Sequence, residues 1–396
     1  FKGLKMSAFS IEEGNTIAFD VKIKVIGVGG GGGNAINHII REGINKLSGM
    51  DRVDLLAANT DAQALIKSQA YTTLQLGEKR TKGLGAGMRP EVGRESAEES
   101  YEQIKAMLDD AKIVFIASGF GGGTGTGAAP IVARAAKDIG ALTIAVVTTP
   151  FHSEGKRRMR LAQEGIVELK KECDSIVIIP NEKLLAIAGK NVGFKDSFKI
   201  VDAVLANAVS GMSSVILESG DGDINVDFAD VCTAMSHRGL SLLGVGQATG
   251  EDSAQEAIKC AIQSPLLDNI DIKGAKGVLA NFRFHPAHPQ GDIHEAMGLL
   301  RDTVDDDGEV DIFFGTITDE NMQVDLVEVT VIATGFADKE EEKIDPTPQQ
   351  IKPMPTQKTG TDDLFADFYH KPAPRPNIRP NSDDLDAPSF KRFMLD

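Results

Sequence analysis

The sequence predicts an α/β protein: an N-terminal domain on a parallel, Rossmann-like sheet, a long central helix, a second α+β domain and a disordered tail. Three observations carry that reading. Apolar runs of strand length alternate with helical patterns in the first half; two of those runs empty into glycine-rich stretches; and one helical period persists from Asp196 to about Ser219.

The most informative run is Ile113 to Ala117, which leads through Ser118-Gly119-Phe120-Gly121-Gly122-Gly123-Thr124-Gly125-Thr126-Gly127 into the helical pattern from Ala128 to Arg134. The order is strand, loop, helix. Glycine has no Cβ, so such a loop can lay backbone N–H groups against an anion, with Thr124 and Thr126 hydroxyls as further donors. The helix that follows turns its positive end to the same place. A plain turn does not need five glycines and two threonines between Gly121 and Gly127, so a polyphosphate cradle is expected.

A second unit of the same kind comes first in the chain. The strand Val21 to Ile26 runs into Gly27-Val28-Gly29-Gly30-Gly31-Gly32-Gly33-Asn34, then a helix with Ile36, Ile39, Ile40 and Ile44 on one face. Gly27, Gly29 and Gly32 form a G-x-G-x-x-G, which keeps an NAD-binding oxidoreductase as an alternative. That fingerprint wants an acidic residue for a ribose where the next strand, Val53 to Ala58, ends, but the chain supplies Asn59-Thr60-Asp61. It also leaves the second glycine run without a purpose. Two glycine loops on neighbouring strands suit one polyphosphate gripped from two sides.

A third glycine-rich loop, Thr81 to Arg94 with Ala86 and Gly87 at its centre, leads into a helix expected to run through about Leu108. It could fold over a terminal phosphate. After the buried strand Ala141 to Pro150, Glu154 and Arg158 stand four apart at a helix entry, suited to a ribose hydroxyl and a phosphate, or to a plain surface ion pair. The strand Ser175 to Ile179 ends at Pro180-Asn181, ahead of the longest helix, whose 24 residues from Asp196 span about 36 Å and can act as a strut between domains.

The second domain opens at Asp221 to Asp230. Helical patterns near 227–237, 252–263 and 291–303 and strands near 240–248, 275–283, 309–317 and 325–334 suit an α+β sheet covered on one face. His285, His288 and His294 lie among Pro and Gly without carboxylate or cysteine at ligand spacing, so no metal site is expected there. Residues 337–383 are too polar and Pro-rich for a core and read as a disordered linker. The last segment, 384–396, sets Leu385, Phe390, Phe393, Met394 and Leu395 beside Lys391-Arg392, the build of a peptide that folds onto a partner.

A net charge of −16 over 396 residues disfavours nucleic acid or an anionic membrane as main partner. Cys173, Cys232 and Cys260 form no C-x-x-C pair, which points to a reducing compartment and so to the cytoplasm. No apolar run reaches the roughly 20 residues of a membrane span, so direct membrane insertion is not expected.

Taken together, Gly-Gly-Gly-Thr-Gly-Thr-Gly (121–127), Gly-Gly-Gly-Gly-Gly-Asn (29–34), Asn-Thr-Asp-Ala (59–62), the Glu-Gly-x-x-Arg stretch (154–158) and Asn-x-Asp-Phe-Ala-Asp (225–230) resemble the FtsZ branch of the tubulin superfamily, over about residues 20–336 and again in the final peptide. The resemblance implies a GTPase that assembles head-to-tail into filaments and forms a ring at the mid-cell division site. It implies that Gly30, Gly31, Gly32, Gly33 and Asn34, with Gly121, Gly122, Gly123, Thr124, Gly125 and Thr126, hold the phosphates. Asn59, Ala86 and Gly87 would lie near the γ-phosphate, and Glu154 and Arg158 would serve ribose and phosphate. Phe198 would stack on guanine while Asn181 and Asp202 bond its edge. Family members often carry Asn where Asp202 stands, and a carboxylate there can accept from both guanine N1–H and N2–H.

The implied domains are a flexible extension (1–19), a GTP-binding domain (20–195), the central helix (196–219), the C-terminal α+β domain (220–336), the linker (337–383) and a tail peptide (384–396) that binds membrane-tethering and regulatory division proteins. GTP and GDP are the expected ligands. Mg²⁺ is expected with the triphosphate, although no carboxylate cage is visible. From Asp202 the helix carries the chain about 27 Å before Asn225, Asp227 and Asp230, so these are expected to catalyse hydrolysis on a neighbouring subunit. A tubulin-like scaffold that binds GTP without hydrolysing it is a further alternative, against which those three residues argue. The sequence departs from the family at Phe282 to Pro289, where a short Asn-Ile-Thr-Gly-like segment is expected.

Overall fold

The computed structural model describes residues 22–41, 53–188, 193–217, 224, 226, 228–237, 239–264, 272–304 and 309–336. The expected extension at 1–19, the linker and tail beyond 336, Ile44, Asn225 and Asp227 lie outside the described residues.

In chain order the elements are β1 (Ile23–Val28), α1 (Gly29–Arg41), β2 (Val53–Asn59), α2 (Ala62–Ile66), β3 (Thr72–Gln75), α3 (Glu78–Thr81), α4 (Pro90–Glu99), α5 (Tyr101–Leu108), β4 (Ile113–Gly119), α6 (Thr124–Asp138), β5 (Leu142–Thr149), α7 (Lys156–Glu172), β6 (Ser175–Pro180), α8 (Asn181–Ala188) and α9 (Phe194–Leu217). There follow α10 (Phe228–Ser236), β7 (Leu240–Thr249), α11 (Ser253–Ile262), β8 (Gly277–Phe284), α12 (Gln290–Val304), β9 (Asp311–Thr318) and β10 (Leu326–Phe336). The strands form one ten-stranded sheet in the order β3-β2-β1-β4-β5-β6-β7-β10-β8-β9.

From β3 to β6 every pairing is parallel, as helical crossovers require. The inner strands β1, β4, β5 and β6 are apolar along most of their length because both faces are covered. Alternate residues Val25, Leu55, Phe115 and Val146 face α1 and α9; Ile26, Leu56, Ile116 and Val147 face the packed alanines of α6 together with α4, α5 and α7. Beyond β6 the sheet turns mixed, with β10 antiparallel to both β7 and β8. One face of this half buries Val278, Ala280, Phe282 and Val329 under α11 and α12.

The other face is covered too, which corrects the expectation of a sheet covered on one side. Leu243, Leu279 and Ile332 join the cluster that holds Val231 and Met235 of α10 and Leu205, Val209 and Met212 of α9. The long helix begins two residues earlier than its apolar period indicated. It packs into a single core shared by both halves, each large buried side chain contributing about 1.5–3 kcal/mol. The helix expected through Leu108 is broken at Ser100, whose hydroxyl accepts the Gly77 N–H at 3.1 Å. The departure at 282–289 is absorbed by β8, which buries Phe282, and by a turn in which the ring nitrogens of His288 meet Val324 O and Asp292 Oδ2 at 3.0 Å each.

Candidate nucleotide site

The chain runs from β1 to β2 on one side of β1 and later places β4 on the other, so the strand order reverses between β1 and β4. In doubly wound sheets ligands sit outside the carboxyl ends of the strands at that reversal. Val28 pairs with Ser118 there, so α1 and α6 leave adjacent strands at the same height.

Both glycine runs are differently built from a loop. Gly29 to Gly33 are the first turns of α1, and Thr124 to Gly127 the first turn of α6, leaving only Phe120 to Gly123 as loop. Glycine costs roughly 1 kcal/mol per residue in a helix, and close packing explains why it is used. A Cβ on Gly32 would stand 2.1 Å from Ala117 O; one on Gly29 would stand 2.8 Å from Gly125 N; one on Gly31, 3.1 Å from Gly119 Cα. Gly29 lets the two helix starts touch backbone to backbone, and Gly31 and Gly32 let α1 lie against the backbone of β4. Gly30, Gly33 and Gly122 are different, because a Cβ on any of them meets nothing within 4 Å. They face open space.

The threonines also differ from expectation. Thr126 is buried, and its hydroxyl accepts the Gly121 N–H at 2.9 Å instead of facing outward; Thr124 Oγ1 lies 2.6 Å from Thr60 Oγ1. What α6 offers outward is backbone: its first intrahelical bond is Gly127 N–H to Gly123 O, and the N–H groups before it have no partner within the helix.

Around this junction the fold gathers most of the other expected residues. A cavity of about 260 Å³ between α1 and the end of β2 is lined by Gly30, Gly33, Asn34 and Asn59, and by Asp61 and Lys67, which the sequence reading had not singled out. Asn37, also on its wall, lies one turn beyond Asn34 on α1, a spacing that could have flagged it. Ala86 abuts Gly123, where a Cβ would stand 2.8 Å from Ala86 Cβ. Gly87 lies in the same loop with φ 60°. Glu154 and Arg158 are bonded to each other, and Glu154 Oε1 also accepts the Phe151 N–H at 2.9 Å. Phe198 stands edge-on to Phe151, with centroids 5.2 Å apart.

Asn34 bonds the Asp202 carboxylate across the α1–α9 contact. Burial pushes Asp202 up to about 6, against the opposing pull of Arg41 and of that hydrogen bond. Asn181 opens α8 with its side chain 5% exposed, and its Oδ1 has no hydrogen-bond partner among the described residues. Asp230 is not brought here. It lies in the first turn of α10, whose Val231 and Met235 pack with Leu279 of β8.

A parallel sheet with a glycine-built anion crevice at its switch point, joined through one long helix to a mixed second sheet, is the architecture of a tubulin-type GTPase. Residues 22–189 match the Tubulin/FtsZ family GTPase domain and residues 239–337 the FtsZ family C-terminal domain. The chain is 44% identical over 356 residues to the cell division protein FtsZ of Helicobacter pylori (strain J99), covering 89% of this chain and 90% of that one. It is 50% identical over 318 residues to the FtsZ of Wigglesworthia glossinidia brevipalpis, covering 80% of each. A solved empty FtsZ dimer from M. jannaschii superposes with a TM-score of 0.73 at 44% identity, over 80% of this chain and 88% of that one.

The chain belongs to the FtsZ family, and is a GTP-binding, GTP-hydrolysing, filament-forming cell-division protein. Neither the NAD-dependent oxidoreductase nor the scaffold without hydrolysis finds support beside the matched GTPase domain. No helix among the described residues is long and apolar enough to cross a membrane.

Proposed function

We propose that GTP binds in the crevice at the β1/β4 reversal and that its hydrolysis is completed by the next subunit of a head-to-tail filament. Gly30 to Asn34, Gly121 to Gly123 and the N–H groups of Thr124 to Thr126 hold the phosphates, with Gly30, Gly33 and Gly122 leaving room for close approach. Asn59, Ala86 and Gly87 face the γ-phosphate. Glu154 receives a ribose hydroxyl, and Arg158 swings from it to a phosphate. Phe198 stacks on the base, and Asn181 and Asp202 bond its edge; the orphaned Asn181 Oδ1 supports this, since a buried acceptor without a donor is costly unless a ligand supplies one. Mg²⁺ enters with the triphosphate, held mainly by phosphate oxygens and water.

The observation that carries the shared site is separation. α10 packs beneath β8 and β9, and β9 is six strand spacings from β4, about 29 Å at the usual spacing. Asp230 therefore cannot reach the nucleotide of its own chain. In a head-to-tail stack Asp227 and Asp230 accept hydrogen bonds from the attacking water and orient it in line with the γ-phosphorus, Asn225 positions it, and GDP and phosphate leave. Exposed Ile66 (83%), Leu84 (86%) and Tyr71 (63%), beside the cavity, suit coverage by a second copy.

The protein acts in the cytoplasm at the mid-cell ring. Residues 20–195, 196–219 and 220–336 work as nucleotide domain, strut and activating domain, and the 337–383 linker tethers the 384–396 peptide to membrane-tethering and regulatory division proteins. Phosphate release per subunit, measured against protein concentration, tests the reading: it should rise with concentration as sedimentation with GTP, but not GDP, rises. A rate per subunit independent of concentration would remove the shared site. Deleting 384–396 should leave turnover intact and abolish recruitment to tethering proteins.

A further inference from the structure

We propose that Thr316 and Gly315 of β9 are positioning residues for hydrolysis: they anchor Ile224 and Val226 just ahead of α10 and so set where Asp230, in its first turn, is presented to the next subunit. The proposal rests on the shared-site reading above.

Ile224 N–H donates to Thr316 Oγ1 at 2.7 Å, and Thr316 N–H donates back to Ile224 O at 2.9 Å. Two bonds in opposite directions clamp one residue of the segment to β9. Thr316 is 6% exposed, so its side of both bonds is set within the protein. Two residues on, Val226 is buried in the core cluster shared with α9 and α10. It sits over Gly315: a Cβ built there would stand 3.2 Å from Val226 Cγ2, 3.3 Å from Asn281 Oδ1 of β8 and 3.7 Å from Ile224 O.

Residue 224 is thus bonded, and residue 226 packed, onto consecutive positions of one strand. Val226 precedes by two residues Phe228, where α10 begins. β9 in turn is registered against β8 from Gly277↔Asp311 to Phe284↔Thr318. Ile224 and Val226 are therefore placed by a sheet, which suits an approach to α10 that must bring Asp230 to another molecule's phosphate within about 0.5 Å. β9 is the outermost strand, so Ile224 also covers part of its open edge.

Thr316→Val keeps the shape and deletes the acceptor, and Thr316→Ser keeps the acceptor. In the full-length chain Thr316→Val should bind GTP and sediment with it as the wild type does, with KM unchanged and kcat lower by about tenfold to a hundredfold. Thr316→Ser should recover most of that loss. Gly315→Ala, whose methyl displaces Val226, should show the same split between KM and kcat, and carries the test alone if Thr316→Val does not fold.

Mixing gives the direction. Thr316→Val should be rescued by a subunit blocked at its phosphate site (Gly122→Val), which lends a soundly anchored α10, and not by Asp230→Ala, which is deficient on the same side. Wild-type turnover by Thr316→Val and Gly315→Ala while Asp230→Ala is inactive would overturn the anchor and leave the shared site standing. So would a loss that appears in GTP affinity or that Gly122→Val does not rescue. Full turnover by Asp230→Ala would instead overturn the shared site itself.

Discussion

The two halves of the sheet are made from the same materials and use them in opposite ways. At the β1/β4 reversal the working surface is backbone: helix starts pressed together through glycines, with hydroxyls such as that of Thr126 turned inward to support them. Around β9 the groups proposed to act are side chains, Asp230 on α10 and Thr316 beneath Ile224, held at the outer margin of the sheet. The first half tolerates no added atom where its helices meet, whereas the second depends on individual polar atoms. On the proposed shared site, recognition and activation should therefore be separable by mutation.

Gly32→Ala should give the largest effect. Its methyl would overlap Ala117 O, so stability should fall by about 4 kcal/mol or more, read as the midpoint of denaturant unfolding. A near-normal midpoint would show that the junction yields and would blur the contrast between the halves. Asp230→Ala comes next: turnover should fall by about a hundredfold or more, with GTP affinity within about twofold in a calorimetric titration. Weakened affinity would place Asp230 at its own chain's nucleotide.

The third prediction is a pH dependence of about tenfold. Burial raises Asp202 to about 6, above its ordinary 3.8, so its ionised form is disfavoured in the folded, nucleotide-free chain. Folding stability from this group is fully present below about pH 4 and lost as pH rises through about 6. Guanine N–H donors need the carboxylate, so affinity should move the other way, falling about tenfold between pH 7 and pH 5. Asp202→Asn should abolish both slopes; if it keeps the affinity slope, the titrating group is elsewhere. The smallest effect on the fold belongs to Gly122→Ala. With nothing within 4 Å of the new methyl, stability should stay within about 0.5 kcal/mol while GTP affinity drops, and unchanged affinity would mean that the phosphates do not approach Gly122.

Strands such as Ile113–Gly119 and Leu142–Thr149, and the helix Phe194–Leu217, were legible because long apolar periods announce them. Elements without such a signal were not. β3 has four residues, none buried, at the edge of the sheet; α2 buries no residue; and α3 is a single turn. Thr72–Gln75 is a strand because Leu56 to Asn59 offer it a ladder, a tertiary fact that no local period records. The glycine run at 29–33 read as a loop because propensity disfavours helix there, and packing against Ala117 and Gly119 overrides propensity. At the site, the residue types were legible but their pairings were not. Asn34 with Asp202 and Thr60 with Thr124 meet only once α1, α6 and α9 are placed. The inward turn of Thr126 follows from a bond to Gly121 that composition cannot reveal.

The ladder that unites the sheet is narrow at one place. Elsewhere neighbouring strands share four to nine residue pairs, but β6 and β7 share only Ile176↔Leu240 and Val177↔Ser241, beside a buried Ser175–Ser241 hydroxyl contact of 2.8 Å. Mechanically this is the compliant seam of the subunit, with α9 as the stiff member running beside it. In a polymer whose contacts load the two ends of each subunit, that seam is where the monomer should yield first, so bending of a filament should draw on the subunit as well as on its interfaces.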